Sequence, residues 1–339
     1  MTGATNPKSS LARRALTFLL RIALAALLVV WLLRSDRLDA QLILDLGLSG
    51  RVVGLMLLGA ASVFTGQLLL AVRLRWLLAR QQLTVPFRRA LGLTLIGSFF
   101  GAILPGLVSG DAVKAVYLFG DSTGARSRAV AAVLIDRILG LYSLFLVGTL
   151  ALAGASLGSL LPERPAVLWI APLVVAGLSL ALVLAGAPAT ARSGLVQRLS
   201  PRTPERLRKL ICALHHSLRD AKLCTGAILL SLINHGLVIV TYILAGHLLG
   251  DAIRPLTHLV VDPLAMVLNV VPLTPGGIGI TEGAFSFLFE QLGSPHGAAV
   301  GLLGRFMQYL DYVVAGTAAL LAVRFGRAGA AQGGPRPAS

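Results

Sequence analysis

Apolar and polar positions follow one another along the chain in long blocks, not at the short periods of a soluble fold. Apolar runs of about 20 residues, the length that crosses a bilayer, alternate with short polar segments. The pattern predicts an all-α polytopic membrane protein with about six full spans. The runs cover residues 15–33, 52–72, 129–153, 166–187, 225–249 and 297–323.

Two further apolar stretches are interrupted by proline and glycine, and we expect them to form re-entrant hairpins. Neither residue sustains a helix, and at membrane depth a broken segment is tolerated only where it is buried in protein or lines a cavity. Matching breaks in two halves of a transporter point to its binding site. The alternative is that both are ordinary loops between spans. The predicted hinge residues are Pro105, Gly106, Gly110, Pro275, Gly276, Gly277 and Gly279.

The positions of the basic residues predict which segments face the cytoplasm. The chain carries 30 Lys and Arg and a net charge of +16. These charges lie between the apolar runs, so they indicate topology and contacts with anionic lipid, not with nucleic acid. We assign both termini and residues 73–89, 120–128 and 192–222 to the cytoplasm. That side then holds 22 Lys and Arg, and the opposite side holds 5.

This assignment makes the two halves of the chain opposite in topology. Residues 15–154 would contain a hairpin entered from the cytoplasm, and residues 166–325 would contain one entered from outside. Such inverted repeats support alternating access around a site at the membrane midplane. We therefore expect a single transmembrane domain, residues 15–325, with about eight helical membrane segments.

The remaining regions are short. Residues 1–14 predict a cytoplasmic tail before an uncleaved signal anchor or, alternatively, a signal peptide. Apolar residues at helical spacing over 204–221, with Arg and Lys between them, predict a basic amphipathic helix on the membrane surface. Residues 326–339 are rich in Gly, Ala and Pro and predict a disordered tail.

Charged residues inside the predicted membrane segments are the candidate functional residues, because each costs about 2.5–3.5 kcal/mol there on insertion scales. They are Asp111, Lys114, Asp136, Arg137, Asp262, Glu282, Arg305 and Asp311. In the alternative interpretation these charges only pair with one another and hold helices together. Of the eight, we predict that six bind substrate: Asp111, Lys114, Asp136, Arg137, Glu282 and Arg305.

The two arginines among them occupy related positions in the two halves. Arg137 follows Asp111 by 26 residues, and Arg305 follows Glu282 by 23. The planar guanidinium group of arginine can bind a phosphate through two parallel hydrogen bonds. Helices beginning near Gly110 and Gly283 would add positive dipole ends beside an anion.

These motifs resemble those of the lysylphosphatidylglycerol synthase transmembrane-region family, also called the flippase-like domain family. Its motif Pro-Gly-Gly-x-Gly-x-x-Glu is intact from Pro275 to Glu282, and its Asp-Arg pair is present as Asp136-Arg137. The resemblance covers about residues 15–325.

The family's first motif, a Gly-Gly-Asp segment followed by a basic residue, is present in modified form. Ser109 replaces one glycine, and Lys114 stands where arginine is common. The resemblance implies a bacterial inner-membrane protein that moves lipids or lipid-linked groups between leaflets. Members fused to a cytosolic aminoacyltransferase make and flip aminoacylated phosphatidylglycerol. The sequence to Ser339 includes no such domain, so aminoacyl-lipid synthesis is not expected.

The leading functional expectation is a flippase that performs no chemical step and uses no metal or cofactor. Its cargo would be a phosphate-bearing lipid that is anionic, aminoacylated, glycosylated or polyprenyl-linked. One alternative is a non-transporting scaffold for a glycosyltransferase or for a glycolipid, polyprenyl-glycan or hopanoid synthesis complex. Another is a membrane enzyme that acts on a lipid headgroup with Asp111 or Glu282 as base, although no nucleophile–base pair or metal cluster favours it.

Single cysteines introduced into a background without other cysteines test the predicted topology. Because of the asymmetric charge distribution, cysteines at Ser122 and Ser200 should react only with reagent supplied from the cytoplasm. Cysteines at Ser35 and Ser159 should react only from outside. Labelling of position 122 from outside would eliminate the first re-entrant hairpin and, with it, the inverted repeat.

Overall fold

In a computed structural model of the chain, the regular structure of the described residues is helical, with no strands. The structure describes residues 7–35, 38–104, 109–118, 123–157, 172–173, 175–177, 179, 205–251, 253–267, 274 and 277–332. Most of the predicted span 166–187 lies outside these residues, as do four predicted hinge residues: Pro105, Gly106, Pro275 and Gly276.

The helices are numbered in chain order. In the first half they are α1 (Pro7–Arg34), α2 (Ala40–Leu44), α3 (Gly50–Arg80), α4 (Phe87–Ile103), α5 (Ser109–Leu118) and α6 (Thr123–Leu157). In the second half they are α7 (Glu205–Leu218), α8 (Ala221–Leu248), α9 (Pro255–Val267), α10 (Ile280–Glu290) and α11 (Gly297–Gln332). The helix α1 thus begins inside the predicted polar tail, and α11 continues beyond the predicted domain end at residue 325.

Side-chain caps mark where two of the long helices begin. Ser49 accepts a hydrogen bond from the N–H of Val52 at the start of α3, at 3.3 Å. Asp220 accepts one from the N–H of Leu223 at the start of α8, at 3.0 Å. Each cap satisfies an N–H group that has no partner within its own helix. The cap at Asp220 therefore separates α7 from α8.

Three helices in the described part of the chain are long and apolar enough to cross a membrane: Gly50–Arg80, Arg126–Gly154 and Ala221–Leu248. The first has 31 residues, or about 46 Å of helix, against a hydrocarbon core of about 30 Å. In the most apolar 18-residue stretch of each helix, between 33% and 50% of the stretch is buried within the protein. The rest is available to lipid, so the chain is a polytopic α-helical membrane protein.

In the described part of the chain, the two larger of three clusters of buried apolar side chains lie at different depths of the bundle. One joins α3, α6 and α8 and includes Leu77 and Ile135. The other joins α8, α9, α10 and α11 and includes Tyr242, Phe285 and Phe289. Between the clusters, the middle of α6 and of α8 carries polar and charged residues instead.

Glycines allow several helices of the bundle to approach closely, as small residues commonly do between membrane helices. A Cβ atom added to Gly316 on α11 would lie 2.5 Å from Phe99 Cβ and 3.1 Å from the carbonyl oxygen of Leu95, both on α4. A Cβ added to Gly304 would overlap the ring of Tyr242 on α8. The position of α11 against α4 and α8 therefore depends on the absence of these two side chains.

The structure corrects the predicted boundary of the first basic loop. This loop was predicted to begin at Arg73, but α3 continues to Arg80, and Arg73 is buried within the bundle. The apolar stripe of α3 extends through Leu70, Leu74 and Leu77, and Arg73 lies on the same face. The prediction was wrong because it ended the span at the first charge. The predicted cytoplasmic count falls from 22 to 21, so the charge asymmetry remains.

The amphipathic helix α7 lies inside the predicted segment 204–221, but its apolar side contacts protein. Leu214 and Leu218 pack against the cluster that contains Leu77. The side-chain amide of Gln81 donates to the hydroxyl of Ser217 over 2.8 Å. This apolar side therefore covers the end of the bundle, whereas the sequence pattern predicted that it lies on lipid.

The glycine contact between α4 and α11 predicts a destabilising substitution. Gly316→Ala should lower the unfolding temperature of the detergent-purified protein, because overpacking a close contact costs about 1–3 kcal/mol. Gly92→Ala on α4 is the matched control, because a Cβ there meets nothing within 4 Å. Equal unfolding temperatures for the two variants would show that the close approach of α4 and α11 does not stabilise the bundle.

Candidate functional site

A cavity of about 390 Å³ lies between the two apolar clusters, where the middle of α6 faces the middle of α8. Both halves of the chain contribute to its walls: α3 to α6 from the first half, and α8, α9 and α11 from the second. Among the described residues, four cationic side chains and two carboxylates line it. They are Arg73, Lys114, Arg137, Arg305, Asp111 and Asp136.

In the first half, five of these charges form a chain of alternating sign. Arg73 Nε lies 2.8 Å from Asp136 Oδ1. Lys114 Nζ lies 3.9 Å from Asp136 Oδ2 and 3.2 Å from Asp111 Oδ1. Arg137 Nε, at the other end, lies 3.7 Å from Asp111 Oδ2. Each carboxylate is shared by two cations, so this ion chain keeps a formal charge of +1.

Two glycines allow α5 to lie close enough to α4 to build this ion chain. A Cβ added to Gly110 would overlap the carbonyl oxygen of Gly97. A Cβ added to Gly97 would overlap the methylene stem of Lys114, which crosses α4 there. The predicted hinge residue Gly110 thus has a packing role: it brings Asp111 and Lys114 against the long helices.

The exposure of these side chains differs along the ion chain. The side chain of Arg137 is 36% exposed, whereas that of Lys114 is 13% exposed and those of the other three are at most 9%. Arg137 also makes its ion pair with Asp111 at a longer distance than Arg73 does with Asp136. Arg137 is therefore the cation of this chain that is most accessible from the cavity.

In the second half, the arginine that lines the cavity forms a tight ion pair with one carboxylate. Arg305 Nε lies 2.7 Å from Glu282 Oε1, and their side chains are 6% and 1% exposed. The other carboxylate oxygen of Glu282 accepts a hydrogen bond from the N–H of Gly279 at 2.6 Å. Arg305 also donates to the hydroxyl of Tyr309 at 3.4 Å and to the carbonyl of Gly277 at 3.5 Å.

The backbone before α10 has a conformation that favours glycine. Gly277 and Gly279 have φ angles of 72° and 86°, in the region that other residues rarely adopt. A Cβ on Gly279 would also lie 2.5 Å from Leu28 Cβ on α1. The helix begins at Ile280, not at the predicted Gly283, because Glu282 reaches back to satisfy the N–H of Gly279.

The structure brings the predicted substrate-binding residues together. Five of the six line the cavity, and Glu282 lies behind Arg305. Among the predicted hinge residues, Gly110 and Gly277 also line it, and Gly279 caps α10. The charged candidates Asp262 and Asp311 do not line it.

Several cavity residues were not predicted from the sequence, although the spacing of polar residues along α11 indicated them. Arg305, Gln308, Tyr309 and Tyr312 recur at helical spacing, so they share one face, and all four line the cavity. The tyrosine ring centroids lie 6.1 Å apart. Thr274, inside the second Pro-Gly segment, also lines the cavity, and its buried hydroxyl has no hydrogen-bond partner in the described part of the chain.

Two polar residues on α8 line the cavity but were not predicted from the sequence, although polar residues within an apolar span indicate a functional position. Asn234 and His235 lie in the middle of an apolar span and line the cavity. The Nε2 atom of His235 lies 3.3 Å from the carbonyl oxygen of Gly140 on α6. Ionisable residues at such positions commonly face the interior of a bundle, as His235 does.

The helical bundle and its cavity define the class of this protein: a polytopic membrane protein with a charged site enclosed between two halves of the chain. The family model of the lysylphosphatidylglycerol synthase TM region matches residues 18–316, and the chain belongs to this family. The family resemblance carried by the motifs is thus confirmed. Among curated proteins, none matches the sequence.

The buried pair in the second half predicts unequal effects for two neighbouring glutamates. Glu282→Gln should lower the free energy of unfolding by about 3–5 kcal/mol, because it leaves the charge of Arg305 buried without its carboxylate. Glu290→Gln, on the exposed end of α10, is the control and should have little effect. Thermal unfolding in detergent would measure both.

A double variant separates the pairing from other roles of Glu282. Glu282→Gln combined with Arg305→Gln should unfold at a higher temperature than Glu282→Gln alone, because no unpaired charge is then buried. Additive losses in the double variant would show that the ion pair does not account for the effect.

Proposed function

We propose that the protein is a flippase that moves a phosphate-bearing lipid between leaflets by passing its headgroup through the central cavity. The main supporting observation is the excess of positive charge among the described residues that line the cavity, where four cations face two carboxylates. With Glu282 behind Arg305, the group retains a formal charge of +1. A phosphate would supply the missing negative charge and accept hydrogen bonds from arginine.

The cavity has the size of a headgroup site. Its volume of about 390 Å³ lies near the lower end of ligand pockets, about 300–1,000 Å³. Such a volume accommodates a phosphate and the polar group attached to it but not two acyl chains. We propose that the chains remain in the surrounding bilayer, beside the apolar faces that the long helices expose.

The two arginines differ in a way that suggests a sequence of binding steps. The side chain of Arg137 is more exposed than that of Arg305, so it would bind the phosphate first in this conformation. Arg305 is held by Glu282 at 2.7 Å and would bind after α10 has moved. Asp111 and Glu282 would hold the respective arginine whenever the phosphate is absent.

The proposed architecture is an inverted repeat around this cavity. In it, α4 with α5 and α9 with α10 would be the two re-entrant hairpins, between six full spans. The short length of α5 and α10 supports this, because 10 and 11 residues extend only about 15 and 16 Å. We further propose that the protein lies in the bacterial inner membrane with both termini in the cytoplasm.

Transport of a labelled lipid in proteoliposomes tests the proposal. Arg137→Lys and Arg305→Lys should each reduce the movement of fluorescent phosphatidylglycerol between leaflets at least several-fold, because lysine keeps the charge but loses the paired N–H donors. Dithionite, which destroys only the outward-facing label, measures the movement. Arg75→Lys is the control, because Arg75 is exposed on the same protein.

Three results would contradict the proposal or favour an alternative. Normal transport by both lysine variants would contradict the proposed binding of phosphate by Arg137 and Arg305. A change in lipid mass, measured by mass spectrometry, would indicate a headgroup transferase. If phosphatidylglycerol and polyprenyl phosphate probes both remain in place although the protein is folded, the protein would be a scaffold for a lipid-synthesis or glycosyltransferase partner.

A further inference from the structure

A second group of titratable side chains lies outside the cavity, on α9. The Nδ1 atom of His258 lies 3.0 and 3.1 Å from the two carboxylate oxygens of Asp262, one turn further along the helix. Their side chains are 3% and 0% exposed. A histidine–aspartate pair buried this deeply in a membrane protein is costly and requires a reason.

The end of α8 places a second carboxylate beside this pair. Gly250, with φ of 68°, ends the helix, and the N–H of Asp251 donates to the carbonyl of Gly246 over 2.9 Å. This is a Schellman turn, which fixes the position of Asp251. A Cβ atom added to Gly246 would lie 3.3 Å from His258 Nε2 and 3.7 Å from Asp251 Cβ. The two side chains thus border the same space above Gly246.

The carboxylate of Asp251 is only partly satisfied. Its Oδ1 atom accepts a hydrogen bond from the hydroxyl of Ser294, in the turn after α10, at 2.8 Å. Its Oδ2 atom is buried and has no hydrogen-bond partner among the residues that the structure describes. A buried carboxylate oxygen without a partner is unfavourable unless a proton or a water molecule reaches it.

These three residues form a line from the edge of the bundle inward. Asp251 is half-buried, His258 is buried and Asp262 is fully buried. Because Nδ1 of His258 contacts Asp262, its other ring nitrogen is the one near Gly246 and Asp251. Chains of Asp, Glu and His inside membrane transporters carry protons. In the described part of the chain, no three such residues are arranged to bind a metal ion.

We propose that Asp251, His258 and Asp262 form a proton-binding site and that its occupancy controls the position of α10. The control of lipid movement that follows rests on the proposed function, whereas the binding of a proton does not. Protonation of Asp251 or Asp262 removes a negative charge and turns an acceptor oxygen into an O–H donor. Protonation of Asp251 would alter its contact with Ser294 in the turn after α10, and protonation of Asp262 would alter its contact with His258, which packs against Phe289 of α10.

The short helix α10 connects this proton site to the lipid site. The ring of Phe289, near the end of α10, lies edge-on to His258 with centroids 5.5 Å apart. Ser294, just beyond α10, contacts Asp251. At the start of the same helix, Glu282 holds Arg305. A shift of α10 caused by protonation would therefore change the pair that keeps Arg305 from binding phosphate.

Other titratable groups near α9 have their own partners or lie at the surface. His247 contacts Arg51 at the exposed end of α8, at 2.9 Å, and Glu290 accepts from Ser286 on α10. The remaining titratable and charged groups on the elements packed against α9 are Arg126, Arg128, Asp136, Arg137 and Tyr142 on α6, Lys222, Cys224, His235 and Tyr242 on α8, Glu282 on α10, and Arg254 and His296 in the adjacent turns.

Infrared difference spectra of the detergent-purified protein test proton binding directly. On lowering the pH, a carboxylic acid C=O band from a buried, weakly hydrogen-bonded site should develop. Asp262→Asn should remove this band or shift its midpoint, and Asp251→Asn, at a less buried position, should shift its midpoint. Asp45→Asn is the control, because Asp45 is exposed just after α2 and the substitution should leave the band unchanged.

Identical difference spectra for the folded Asp262, Asp251 and Asp45 variants would overturn the proposed proton site. If Asp262→Asn does not fold, Asp251→Asn decides the matter by itself. An unshifted midpoint in Asp251→Asn would then be sufficient to reject the site.

Transport under a pH gradient tests the coupling. For the original chain, the rate of movement of fluorescent phosphatidylglycerol should differ between proteoliposomes with and without a pH gradient. In Asp262→Asn the ratio of the two rates should fall to one, while Asp45→Asn should keep the original ratio. Lipid movement that ignores the gradient in the original chain would reject the coupling and leave the flippase proposal intact. Absence of all lipid movement would reject the coupling together with the flippase, whereas the infrared result would still decide the proton site.

Discussion

The architecture depends on one constraint: burying a charge in a membrane protein is costly unless an opposite charge lies beside it. Arg305 and Glu282 satisfy this constraint as a pair at 2.7 Å, nearly without exposure. Breaking such a pair leaves one charge without compensation and costs about 3–5 kcal/mol. The partners come from α11 and α10, so the requirement fixes how these helices pack. In the first half, Arg73 of α3 and Asp136 of α6 meet the same requirement at 2.8 Å.

The ion chain of the first half contains more cations than carboxylates among the described residues. Asp111 and Asp136 are each shared by two cations, so three cations have two carboxylates between them. The excess is tolerable because Arg137 reaches the cavity, where its side chain is 36% exposed. Among the described residues, the cations around the cavity outnumber the carboxylates, which makes the cavity suited to an anion.

Much of the fold and the family could be predicted from the sequence because both depend on local patterns. Apolar runs predicted α3, α6 and α8, and the motif ending at Glu282 identified the family. The spacing of carboxylates and arginines also indicated which residues meet. The role of Arg73 was missed because a charge near the end of an apolar run resembles the start of a loop. Its burial depends on Asp136, 63 residues away, which no local pattern reveals.

The same limit explains the remaining differences. The apolar side of α7 has the periodicity of a helix on a lipid surface, and only the tertiary structure shows that it covers Leu77 and its neighbours. Asp251 lies in a short connection, where an exposed carboxylate is ordinary. Only the turn at Gly250 and the absence of a side chain at Gly246 bring it beside His258. Contacts that depend on chain turns and on glycine positions therefore cannot be predicted from hydrophobic periodicity.

The two halves of the proposed repeat hold their arginines differently. The larger energetic cost of phosphate binding therefore falls on the half that contains α10. In the proposed binding sequence, a phosphate at Arg137 would compete with a carboxylate at 3.7 Å that is also shared with Lys114. A phosphate at Arg305 must displace Glu282, which is held at 2.7 Å and is also bound by the N–H of Gly279. The second step is therefore the harder one. Since α10 bears Glu282 at its start and contacts the Asp251–His258–Asp262 line near its end, a proton there would act on the element where additional driving force is required.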